Sequence, residues 1–202
     1  MNKLTLFLAL GAAFLTFSGF PAGAQEGISI PVPAPELNQG DAGGEQVAIL
    51  AAGCFWGVQG VFQHVEGVSS AVSGYAGGEA ETASYMMVTS GRTGHAESVR
   101  VTVDPARISD GEILQIYFSV AHDPPQLNRQ GPDIGEHYRS AIFPQSGGQA
   151  DVALAYIDQL NAARVYDAAS MTRIEPGQAW YPAEDYHQDY MTNNPTQPYI
   201  VY

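Results

Sequence analysis

Cysteine is nearly absent from this chain: of 202 residues, Cys54 alone carries a thiol. An internal disulfide is excluded, and so is a zinc site built on a cysteine pair. Lysine is as scarce. The only one is Lys3, and seven arginines face 21 acidic side chains in the rest, so the formal charge of −13 becomes −14 once Lys3 is set aside. Such a balance argues against nucleic acid or an anionic membrane as partner. After residue 20 no apolar run is long enough to span a bilayer. There is no glycine fingerprint for a dinucleotide, no internal repeat, and no i, i+4 histidine pair suited to a metal.

What is present begins with a leader. Met1-Asn2-Lys3 is a short positive start, residues 4–20 are almost wholly apolar, and Ala22-Gly23-Ala24 is an A-x-A-like cleavage site before Gln25. This is the anatomy of a secretory signal peptide over residues 1–24, with an uncleaved anchor as the other reading. Export, most simply to a periplasm, is the expectation, with no membrane contact after removal. Residues 25–44, with Pro31, Pro33, Pro35 and Gly43-Gly44, read as a flexible leader. A single catalytic domain then spans 45–202, a size for one domain.

Periodicity places the elements. Residues 47–52 suit a buried strand, and Val58, Val61, Phe62 and Val65 recur at helical spacing over 55–65. A strand is expected around 68–75. Val99, Val101 and Val103 alternate with polar neighbours over 98–103. Ser109 followed by Glu112 reads as a capping box, opening a helix whose inward stripe is Ile113, Ile116, Tyr117 and Val120. Residues 127–137 read as a loop, 139–143 as a strand, and 149–166 as a helix facing inward through Val152, Tyr156, Leu160 and Ala163. A strand over 170–174 and an extended tail from residue 192 complete the pattern. The order predicts an α+β two-layer sandwich, a mixed sheet covered by helices in the ferredoxin-like manner.

Cys54 falls where the first strand turns into the first helix. Gly53 allows a tight turn. The helix's unpaired N–H groups and partial positive charge favour a thiolate there.

The surrounding residues are similar to those of the A-type peptide-methionine sulfoxide reductases. Gly53-Cys54-Phe55-Trp56-Gly57 looks like that family's active-site motif. It is followed in order by Gly74-Tyr75-Ala76-Gly77-Gly78, Tyr85, Gly94-His95-Ala96-Glu97, His122-Asp123-Pro124, Asn128-Arg129-Gln130-Gly131 with Asp133, Tyr138-Arg139-Ser140, Ala183-Glu184 and Tyr186-His187-Gln188. The resemblance implies reduction of the S epimer of methionine sulfoxide, free or in proteins. It implies that Cys54 attacks sulfur, Glu97 protonates the departing oxygen, Tyr85 and Tyr138 hydrogen-bond it, and Asp133 holds the polar side. Phe55 and Trp56 would cup the methyl group, with His187 at the pocket edge. The chemistry needs these groups: sulfoxide oxygen leaves badly unless protonated, a carboxyl in an apolar cleft keeps its proton, and sulfur packs well on aromatic rings. The product on Cys54 is a sulfenic acid.

Two departures stand out. Many relatives carry further cysteines toward the C-terminus; Thr192 to Tyr199 has none. Resolution then needs an external thiol, a thioredoxin-like protein or a small thiol, and no bound cofactor. Gln59 stands where many relatives have glutamate, with little consequence expected. Residue types alone leave two rivals open: cysteine–histidine acyl transfer using Cys54, His187 and Asp185 or Asn193, and a secreted binding module with an inert thiol.

Overall fold

The apolar run before Cys54 becomes the second of four central strands in a mixed sheet. The computed structural model describes residues 29–38 and 43–197; the signal-peptide expectation falls on residues 1–24, outside them. The strands are β1 (Gln46–Ala52), β2 (Val68–Ala76), β3 (Ala96–Val103), β4 (Arg129–Gln130), β5 (Asp133–Ile134), β6 (Ser140–Phe143), β7 (Arg173–Ile174) and β8 (Trp180–Pro182). Six of them form one sheet in the order β7-β6-β1-β3-β2-β8, and β4-β5 form a separate ribbon. Among the described residues only the β6–β7 pair is parallel. The centre, β6-β1-β3-β2, is the split β-α-β arrangement of a ferredoxin-like sandwich, as expected.

Helices α1 (Phe55–Gln63), α3 (Asp110–Ile116) and α4 (Gly147–Ala163) cover one face; α2 (Tyr85–Val88) and α5 (Tyr190–Asn193) are single turns near the site. Alternation decides which side chains meet the helices. Leu50 and Ala52 of β1 join Val99, Val101 and Val103 of β3 in the main core, with Phe62 of α1 and Leu160 of α4. The opposite face holds a smaller cluster, Ile49, Ala51, Ala76, Ala96, Ala141 and Phe143.

Several expectations are corrected. The helix after Ser109 passes at Tyr117 into a π-type turn, Tyr117–Ala121. The wider turn rotates its register. Tyr117 and Phe118 are both buried, and Val120, expected on the inward stripe, is 45% exposed. In α4 the inward face is Val152, Ala153, Tyr156 and Leu160, and Ala163 is exposed at the end. There Arg164, in the left-handed region at φ 52, stops the helix before the expected residue 166. The 127–137 segment, read as loop, contains the β4–β5 ribbon. The expected tail has its first residues in α5, and β8 was not foreseen. Residues 29–38, read as flexible, are fastened to α3 and α4, with Val32 buried.

The capping box forms as expected: Ser109 Oγ accepts from Glu112 N at 3.3 Å, and Ser109 N donates to Glu112 Oε2 at 2.9 Å. Ser109→Ala is therefore expected to lower the unfolding free energy by about 1 kcal/mol, read from urea denaturation with an unchanged slope.

Candidate active site

Gly53 takes φ +83, and an added Cβ would lie 2.6 Å from Gln130 Cβ. The chain turns there because glycine alone is comfortable in that region and leaves room for Gln130. Cys54 then occupies the N-cap position of α1, in extended backbone at φ −60, ψ 121. Its side chain is partly exposed.

The amide next to it is taken by an acid from another element. Phe55 N donates to Glu97 Oε2 at 3.0 Å. Glu97 lies inside β3, two residues before Val99, so alternation turns it to the helix-covered face with the valine stripe. It is 2% exposed. Burial pushes its carboxyl up to about 8, opposed by the Phe55 hydrogen bond and reinforced by nearby Asp133. At neutral pH the carboxyl holds its proton. Oε2 accepts the amide hydrogen, which leaves Oε1 as the freer oxygen to carry the proton.

Two phenols complete the polar side. Tyr85 opens α2, and its backbone N–H is fixed by Glu184 Oε1 at 3.0 Å. Tyr138 ends a 3₁₀ turn, Glu136–Tyr138, closed by its own N–H on Gly135 O at 3.0 Å. Burial first, and then the charges of Glu97, Asp133 and Cys54, raise both hydroxyls above the ordinary tyrosine range. Both stay protonated and can donate. Asp133 arrives on β5, held by the ribbon with Gln130. Arg139, 3% exposed, pins the turns: its guanidinium grips Glu175 with two hydrogen bonds of 2.9 Å and reaches Gly94 O at 3.0 Å and Glu136 O at 3.2 Å.

Phe55 and Trp56 form the apolar wall. Trp56 Nε1 donates to His187 Nδ1 at 3.2 Å, and Tyr190 stacks flat on the indole at 3.7 Å and 8°. The His187 ring lies 4.4 Å from Tyr85 and 5.0 Å from Phe55.

One cleft of about 130 Å³ is lined by Cys54, Phe55, Trp56, Tyr85, Glu97, Asp133 and Tyr138. It is smaller than the roughly 300–1,000 Å³ that engulfs a whole drug-sized ligand, so it fits the tip of a side chain. Seven of the eight residues picked from sequence meet here. His187 does not line the cleft. It is 2% exposed behind the wall, with Nδ1 occupied by Trp56, so it supports the aromatics and its place at the pocket edge is corrected. The same placement weakens the acyl-transfer alternative, whose third members Asp185 and Asn193 are exposed. Among the described residues no three His, Cys, Asp or Glu side chains are grouped to hold a metal ion.

Sequence reasoning gave no role to several supports. Glu184 receives the Tyr75 hydroxyl at 2.8 Å besides the Tyr85 amide. Gln188 bridges Ser73 N, Ser73 O and Ala183 O. Gln59, expected to matter little, is 2% exposed; it donates to Ala71 O at 3.0 Å and accepts from Asp189 N at 2.9 Å. A glutamate there could not give the first bond when ionised. Tyr190 is 134 positions from its stacking partner, and no local pattern signals it.

Comparison with known proteins bears on this geometry. Residues 46–202 match the family model described as peptide methionine sulfoxide reductase. The chain is 58% identical over 166 residues to peptide methionine sulfoxide reductase MsrA 2 of Mesorhizobium japonicum, covering 82% of this chain and 85% of that protein. Among solved structures it is similar to reduced Mxr1 of Saccharomyces cerevisiae, with TM-score 0.70, 31% identity, and coverage of 80% and 92%. Methionine sulfoxide reductase A of Corynebacterium diphtheriae aligns with TM-score 0.66 and 30% identity, covering 86% and 91%.

The buried acid makes stability pH-dependent. Folded Glu97 keeps its proton up to about 8, whereas the unfolded chain gives it up near 4.5. Its contribution is full below 4.5 and fades as pH rises through 8. In Glu97→Gln that loss is absent. Denaturation midpoints of variant and wild type should diverge between pH 5 and 8, in the variant's favour, and run parallel above 9.

Proposed function

This chain belongs to the peptide methionine sulfoxide reductase family, and on that premise we propose that it reduces the S epimer of methionine sulfoxide, free or in proteins, through Cys54. The observation that carries the reading is the Phe55 N to Glu97 Oε2 bond, 3.0 Å, which sets a protonated acid beside the thiol's own helix.

The methyl group of the substrate rests on Phe55 and Trp56. Its sulfinyl oxygen faces Glu97 Oε1 and the hydroxyls of Tyr85 and Tyr138. The Cys54 thiolate forms a bond to sulfur as the Glu97 proton passes to oxygen. The hydroxyl then passes from the substrate sulfur to the Cys54 sulfur: the substrate's sulfur–oxygen bond and the new sulfur–sulfur bond break, a sulfur–oxygen bond forms on Cys54, and methionine leaves a Cys54 sulfenic acid behind. Sulfur of the substrate is reduced by two electrons, and the cysteine sulfur is oxidised by two. Three groups share the work on oxygen: Glu97 gives a proton and the two tyrosines give hydrogen bonds, while burial, reinforced by Asp133 on the polar side, keeps Glu97 protonated.

A first external thiol displaces water from the sulfenic acid to give a mixed disulfide on Cys54. A second releases the cysteine as thiol, which returns the proton to Glu97. A thioredoxin-like protein or a small thiol supplies both, since no second cysteine exists in the chain. Export to the periplasm belongs to this reading too, supported by the residue pattern of 1–24 alone.

With S-sulfoxide and no reductant, the enzyme should release one methionine per chain and leave Cys54 reactive toward dimedone. Repeated turnover without thiol contradicts the scheme. Cys54→Ser should abolish reduction. Glu97→Gln should lower kcat by about 10²–10⁴-fold while leaving alkylation of Cys54 by iodoacetamide intact; a wild-type rate in that variant removes Glu97 as the acid.

A further inference from the structure

A short segment ahead of the catalytic domain is held as a bound peptide is held. In Ile30-Pro31-Val32-Pro33-Ala34-Pro35, every second residue is proline. Each proline fixes its own φ and forces the residue before it into an extended form, so this stretch is straight before it docks. Prolines also remove amide donors, and the backbone is left mainly with carbonyls to satisfy. The domain supplies them with donors in sequence. Ser119 Oγ donates to Ile30 O at 2.7 Å, Gln115 Nε2 to Val32 O at 3.1 Å, Tyr156 OH to Pro33 O at 2.6 Å, and Gln159 Nε2 to Ala34 O at 2.9 Å. The amides of Ile30 and Glu36 are also met, on Ser119 O at 3.0 Å and Gln159 Oε1 at 2.9 Å.

Side chains add register. Val32 is buried in the main core, with Ile30 and Leu37 packed against it. Gly111 has no side chain where a Cβ would lie 2.7 Å from Pro35 Cγ. Asn38 closes the site on the first turn of α3, accepting from Gly111 N at 3.2 Å and donating to Ser109 Oγ at 2.9 Å. Main-chain bonds with fitted alternate side chains are how extended peptides are recognised.

The far end of the segment touches a path to the thiol. Ser119 lies in the π-type turn with Tyr117, whose buried hydroxyl donates to Ala51 O at 2.7 Å, three residues before Cys54. The same turn leads through His122, whose ring lies tilted against Tyr117 at 4.2 Å, to Asp123, whose amide is bonded to Gln130 Oε1 at 2.9 Å. Gln130 is the side chain that packs on Gly53.

We propose that α3, α4 and the π-type turn form a binding site for an extended, proline-rich peptide, that residues 30–38 are its built-in ligand, and that filling it braces the Cys54 turn. The site is remote from the sulfoxide chemistry and does not depend on it.

The test uses the full chain with a protease site in place of residues 39–42. After cutting, the released N-terminal piece should co-elute with the domain and be displaced by excess synthetic peptide of residues 29–38. Displacement into a wash should slow iodoacetamide labelling of Cys54 severalfold, and adding the peptide back should restore it. Gly111→Ala should weaken retention, although alanine suits a helix better than glycine. Loss of the piece on cutting, with no rebinding at millimolar peptide, overturns the site. Retention with labelling indifferent to occupancy overturns the link to the thiol. Failure of sulfoxide reduction with retention intact would count against the proposed activity alone.

Discussion

The hydrogen bond from Phe55 N to Glu97 Oε2 is the constraint on which the site depends. A helix start leaves its first amides without intrahelical partners, and an acceptor must come from somewhere. Here it comes from the neighbouring central strand, so the helix that Cys54 caps and the Glu97 carboxyl are positioned by one contact. That contact alone would favour an ionised carboxylate. Burial outweighs it, and Glu97 holds its proton to about 8. The contest between those two effects produces an acid that is both fixed and protonated.

Around that bond the molecule spends its polar contacts on holding aromatic rings still. Trp56 has a hydrogen-bond acceptor at its edge in His187 and a parallel ring on its face in Tyr190. Both come from the last described turns of the chain. Gln188 and Gln59 fasten those turns to β2 and α1 through side-chain amides that donate and accept at once. His187 and Tyr190, near the end of a chain with no second cysteine, serve as the buttress of the aromatic wall. In the proposed scheme electrons then enter from outside, through the partly exposed thiol.

Charge agrees with this division. The acidic surface has no lysine beyond Lys3, and the most deeply buried cation, Arg139, is fully engaged with Glu175 and two carbonyls. It lies between the turn that carries Tyr138 and the turn that leads into β3. Breaking it would leave a buried charge unpaired, a costly state that keeps those turns in place.

Sequence by itself determined the thiol's setting, because glycine, cysteine and the helical stripe that follows are local signals. It determined the capping box at Ser109 and the valine alternation of β3, and extending that alternation back by two residues already places Glu97 on the core face. The chemistry-bearing residues were legible as an ordered set of motifs. Tertiary structure decided what distance along the chain conceals. His187 looks like a ligand-contacting histidine until the indole of Trp56 is seen on its Nδ1. Tyr190 has no local signature because its stacking partner Trp56 lies more than a hundred residues away, and the same holds for the bond between Gln59 and Asp189. The proline-rich leader reads as flexible since its few apolar groups cannot form a core of their own; the order of its residues 29–38 comes from donors on α3, α4 and the π-type turn. Local pattern reports what a segment prefers, and only the packed chain supplies the partners that override or complete that preference.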